Sequence, residues 1–84
     1  MPVFKNKLDE LLADAVLASG LMRQAMLERV RQYIAETDIA QLRKEIAVID
    51  SLPEMQMLQA AGVPASLQSV FLFRLTQLQA AQML

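Results

Sequence analysis

The sequence has no cysteine, no histidine and no tryptophan. Without cysteine there are no disulfides, no thiolate metal ligands and no cysteine nucleophile, and the redox compartment is left open. Without histidine, the commonest general base and the commonest transition-metal ligand are missing. No apolar run approaches the roughly 18 residues that a membrane-spanning helix needs. A dominant charge of either sign is also lacking: eight Lys and Arg face nine Asp and Glu, for a formal net charge of -1. That balance argues against an electrostatic nucleic-acid binder and against an acidic tail. Near the N-terminus, Lys5 and Lys7 are followed by Asp9, Glu10 and Asp14, which interrupt the apolar stretch a signal peptide requires. By elimination, a soluble cytoplasmic protein is expected.

What is present is a chain of 84 residues that is 55% hydrophobic, too apolar for intrinsic disorder and long enough for one domain, residues 1–84. Ala, Leu, Met, Gln, Glu and Arg dominate, and these are strong helix formers. The two Gly and all Pro but Pro2 fall where periodic segments meet.

Five helical segments are predicted. The first spans about 4–19, with Leu8, Leu11, Leu12, Ala15 and Val16 on one stripe, and Gly20 as its C-cap or as a kink. The second spans about 21–36, with Met22, Met26, Val30, Tyr33 and Ile34 as its apolar side. The third begins near Thr37 and Asp38. There Asp38 and Gln41 fit a capping box, Ile39, Leu42, Ile46 and Ile49 follow in steps of three and four, and Arg43, Lys44 and Glu45 point elsewhere. The fourth spans about 52–61, with Ser51 as N-cap, Glu54 completing a second capping box, Pro53 in the first turn and Gly62 as an αL C-cap. The fifth begins at Pro64 and runs close to Leu84, and Leu67, Val70, Phe71, Leu72, Phe73, Leu75 and Leu78 cover most of its circumference. The expected fold is all-α, a small irregular bundle of four to five helices. Its hairpins would pair the first segment with the second and the fourth with the fifth, bridged by the third.

Charge is distributed very unevenly. Residues 1–54 hold sixteen of the seventeen charged side chains, and residues 55–84 hold only Arg74. The tail's polar residues are mainly Gln, Ser and Thr. A domain of this size buries only about 60–65% of the surface its unfolded chain exposes. If Leu67, Phe71, Leu75 and Leu78 face inward, then Val70, Leu72 and Phe73 cannot all follow, and the remainder is an exposed apolar patch of the kind that marks an interface. The expected interface is Val70, Leu72, Phe73 and Met83. Its partner is a second copy, giving an intimate homodimer, or the groove or helix of another protein. The other solution is a monomer folded around the fifth helix as its central element.

Other motifs are weaker. Leu58–Val70 has the outline of a helix-turn-helix, so a small DNA-associated regulator is an alternative function. The would-be recognition helix, however, presents Gln68, Ser69, Leu72, Phe73 and Arg74, where a reader needs several Arg, Lys or Asn. Arg23, Arg29, Arg31, Arg43 and Lys44 could form a basic patch, but Glu28, Glu36 and Glu45 are interleaved with them. Asp50-Ser51-Leu52 resembles the Asp-Ser-Leu of acyl carrier proteins, which would imply a phosphopantetheine arm on Ser51. The preceding Gly of that motif is absent, Pro53 follows closely, and capping accounts for Ser51 on its own. Asp9, Glu10 and Asp14 cluster on the first segment without the partners a hydrolase or di-metal site needs. Tyr33 is expected in the core with its hydroxyl at the edge, Met22 and Met26 as core filler, and Met55 and Met57 near an interface. No enzyme, cofactor, metal site or membrane span is expected. The predicted function is a non-enzymatic helical protein–protein interaction or dimerisation module.

Overall fold

A computed structural model describes residues 4–83, so Met1, Pro2, Val3 and Leu84 lie outside the described residues. Regular structure among them is helical throughout: α1 (Lys7–Leu17), α2 (Gly20–Glu36), α3 (Ile39–Ala47), α4 (Leu52–Ala61), a 3₁₀ turn (Ala65–Leu67) and α5 (Gln68–Gln82). None of these helices is long and apolar enough to cross a membrane.

Each start has a physical cause. Asn6 caps α1, its side chain accepting from Asp9 N–H at 2.8 Å, so the helix begins later than the Phe4 start predicted from periodicity. Asp38 caps α3 as predicted, but through Ala40 N–H at 3.1 Å. Gln41 does not close a capping box and instead donates to Glu45. Ser51 caps α4, with Glu54 N–H 3.5 Å from its Oγ. Two corners need positive φ, at Gly20 (+55°) and Gly62 (+110°). Gly20 opens α2 rather than capping α1, whose C-cap is Ala18. Gly62 does close α4, but with extended ψ rather than αL geometry.

The helix at the centre is α1, not the fifth. Its stripe Leu8, Leu11, Leu12 and Ala15 is buried, and it packs on α2, α4 and α3. Helix α4 leans mainly on α1 and α2, so the predicted α4–α5 hairpin is secondary; α5 packs chiefly on α3. Only Phe71 of α5 is fully buried, while Leu67, just before it, is enclosed. The core continues through Leu27, Val30 and Ile34 of α2, Leu42, Ile46 and Ile49 around α3, and Met55, Leu58 and Ala61 of α4. Three of the predicted placements fail. Met22 and Ile39, expected on apolar stripes, are 65% and 36% exposed, and Met55, expected near an interface, is core.

The largest departure is Glu45, expected on the wet side of α3 but only 2% exposed. Its carboxylate accepts from Leu8 N–H in the first turn of α1 (3.1 Å), from the Tyr33 hydroxyl of α2 (2.8 Å) and from Gln41 Nε2 (3.0 Å). Backbone donors at a helix N-terminus and a phenol together replace the water a carboxylate loses on burial. Burial, and then the adjacent Glu45 carboxylate, push the Tyr33 phenol above its ordinary range. The Glu45→Ala variant strands all of these donors and is expected to lower stability by about 3 kcal/mol. The readout is a lower urea midpoint at unchanged m, with Glu45→Gln losing less because it keeps one acceptor. An alanine variant as stable as the parent would show that the helices do not depend on this group.

Candidate functional site

Two surface regions stand out. The first is the outer face of α5. The helix is held by Phe71, by Val70, Leu75 and Leu78 packed against the core, and by Arg74, which donates to the Ile49 carbonyl and to Gln77 Oε1. Leu72 and Phe73 then project outward, 55% and 66% exposed. Met83 is exposed beyond the helix end. Leu72, Thr76, Gln79 and Met83 follow at spacings of three and four and share one face. Of the four predicted interface residues, Leu72, Phe73 and Met83 are on the surface, and Val70 is half-buried against the core. The only charged side chain of this region, Arg74, is turned toward a carbonyl.

The same use of arginine engages two of the five cations of the candidate basic patch, Arg23 and Arg31. Arg23 donates to the carbonyls of Ala15 and Val16 at the end of α1. Arg31 donates to those of Ala60 and Ala61 at the end of α4, and pairs with Glu28 at 2.9 Å. Cations at helix C-termini satisfy orphan carbonyls and favour the dipole.

The second region was not foreseen. At the α1–α2 corner, Leu17 and Leu21 are 86% and 89% exposed, beside the exposed Met22. The available signal was positional: apolar residues flanking a positive-φ glycine sit on a corner and cannot follow either helix's stripe. Next to this corner lies an open cleft of about 310 Å³. Its apolar walls are Ala13, Val16 and Leu17 from one side of α1, Phe4 and Pro53; Ser51 and Glu54 from the start of α4 supply the polar part.

The electrostatics of the cleft are unusual. Lys5 Nζ reaches Asp50 Oδ2 at 2.8 Å and the Val48 carbonyl at 3.0 Å, and this hydrogen bond holds the Asp50 carboxyl below its ordinary range. Glu54 does not return to cap Ser51. Its side chain turns toward Asp9, and its buried Oε1 has no donor among the described residues. Burial first, then the hydrogen bond and charge of Asp9, then the charge of Asp50, push Glu54 up to about 8; Lys5 opposes them. At neutral pH the proton therefore stays on Glu54.

Ser51 is thus a half-buried N-cap on the cleft wall. The Leu58–Val70 corner becomes α4, the Gly62 turn and the 3₁₀ turn leading into α5. Among the described residues, no group of three or more Asp or Glu is placed to hold a metal ion. No family model matches the chain, and searches of curated proteins and of solved structures give no match.

The raised Glu54 fixes a pH signature. Folded Glu54 titrates near 8, above its ordinary 4.5, so the folded state keeps a proton that the unfolded chain releases. Its contribution is fully present below about 4.5 and is lost as pH rises through about 8. Stability should decline across that window in the parent, and Glu54→Gln should flatten the decline and raise stability at the alkaline end. Urea midpoints measured across the window decide it; parallel profiles for the two proteins would refute the raised Glu54.

Proposed function

We propose that this protein is a non-enzymatic helical interaction module that associates through the outer face of α5, with a second copy of itself as the partner. The observation that carries this reading is the exposure of Leu72 and Phe73 on a helix firmly seated by Phe71 and Arg74. An uncharged face on which Leu72, Phe73 and Met83 alternate with Ser, Thr and Gln suits helix–helix packing. Two identical faces of this kind meet about a two-fold axis without opposing like charges, since Arg74, the only charge of the tail, is turned inward. A DNA reader would need free cations on α5, and Arg74 is occupied by the Ile49 carbonyl.

Sedimentation equilibrium at micromolar concentration tests the proposal. The parent should sediment as a dimer. Phe73→Asp places a charge in the centre of the face and should shift the equilibrium toward monomer by at least about tenfold, with helical content unchanged. A monomeric parent, or a Phe73→Asp variant that associates as tightly as the parent, would overturn it.

A further inference from the structure

We infer that two copies pair through α5 antiparallel, in the register centred on Thr76, with the large side chains of one copy layered against the small ones of the other. This pairing rests on the association through α5 proposed above. It adds the direction and register, and makes Thr76 and Ala80 the residues that determine which face fits.

The spacing of the exposed residues carries this. Thr76 is exposed at the middle of the outer face of α5, which extends about 60° to either side of it at about 100° per residue. Leu72 and Ala80 stand about one turn before and after Thr76, and Ser69 and Met83 about two turns before and after. All four are exposed, and Met83 keeps helical backbone angles as the C-cap. Phe73 and Gln79 stand at the two flanks of the face. In a two-fold antiparallel pair about Thr76, a residue before it shares a layer with the partner residue equally far after it. Leu72 then lies beside the partner's Ala80, Met83 beside the partner's Ser69, and Phe73 beside the partner's Gln79. Each layer sets a bulky apolar group against a small or flexible one, so the layers fill evenly. A parallel pair would instead stack Leu72, Phe73 and Met83 on their own copies and leave voids at the Ser69 and Ala80 layers.

Charge complementarity selects the same direction. Helix α5 has no acidic residue in its first turn, no basic residue in its last and no side-chain N-cap among the described residues. Its one charged side chain, Arg74, donates to the Ile49 carbonyl. The helix ends therefore keep the partial charges of the dipole, positive at the start and negative at the end. Antiparallel pairing sets opposite ends side by side, whereas parallel pairing sets like ends together.

The chain has no cysteine, so single cysteines report on the layers. At concentrations where sedimentation shows the dimer, Thr76→Cys should close an intersubunit disulfide under oxidised glutathione. Leu72→Cys alone and Ala80→Cys alone should not, because in this register their copies stand about 12 Å apart along the helices, beyond disulfide reach. Mixed together, those two variants should cross-link. Ala80→Leu overfills a layer and Leu72→Ala hollows the same layer, so each should weaken association at least about fivefold. The double variant refills the layer and should return to within about twofold of the parent. A Thr76→Cys dimer that does not cross-link, Leu72→Cys cross-linking as readily as Thr76→Cys, or a double variant showing both losses together would overturn the register and leave association through α5 standing. A parent that stays monomeric would overturn both.

Discussion

The Glu45 carboxylate lies inside the protein, and among the described residues no Lys or Arg forms an ion pair with it. An isolated charge there would be strongly unfavourable. It is tolerated because three helices bring donors to the same point: the first turn of α1, Tyr33 of α2 and Gln41 one turn earlier on α3. Apolar contacts alone would allow small rotations and slides of one helix on another. Three donors directed at one carboxylate allow few. With Leu8 and Leu42 both fully buried, rotating α1 would carry the Leu8 N–H away from the carboxylate and open the core together. The site descends from this arrangement. Fixing α1 against α3 places Asp9, the next residue after Leu8, on the side where the start of α4 arrives with Glu54.

A second regularity concerns where the positive charges go. Lys5 reaches the Val48 carbonyl just after α3, Arg74 the Ile49 carbonyl beside it, Arg23 the end of α1 and Arg31 the end of α4. In each case a cation from one element closes the C-terminal end of another. Only α4 ends in a glycine cap, so these side chains take on part of what backbone caps do elsewhere. Their consequence is electrostatic. Cations held against carbonyls leave the acidic cluster of Asp9, Asp50 and Glu54 with Lys5 as its nearest relief, and a proton supplies the rest.

The sequence made the helices legible, because the signals for them are local. The Ser51 and Asp38 caps, the Gly62 stop and the Leu8–Leu12 stripe each act within a few residues, and α2 to α4 lie within a residue or two of their predicted ends. Long-range features were hidden. Glu45 looked like a solvated residue between Lys44 and Ile46, since nothing nearby shows that Leu8, 37 positions earlier, offers it an N–H. Glu54 fitted a capping box, and only the approach of Asp9 from α1 draws it elsewhere. Helix pairing was only partly legible for a related reason: α4 was expected to pair with α5 but packs mainly on α1 and α2, and nothing local to α4 announces that choice. The exposed residues of α5 were better anticipated: Phe73 lies opposite the stripe of Phe71, Leu75 and Leu78 and Leu72 lies to its side, and the count of apolar side chains exceeded what one small core accepts.

Exposure of large apolar groups has a different meaning on a fixed helix than on a loose one. On a frayed tail, Leu72 and Phe73 would lose backbone freedom on meeting any partner, and that loss would oppose binding. Here α5 is seated by Leu67 and Phe71 at its start and by Arg74 in its middle, so the two side chains are already displayed from a rigid backbone. The α1–α2 corner is similar, since Leu17 and Leu21 flank a turn set by Gly20 and closed by Arg23. Both apolar regions are therefore presented from helices held by side-chain contacts, and the low charge around α5 removes electrostatic steering from any encounter there. Association through such a face is governed by fit and buried area, and is only weakly sensitive to salt.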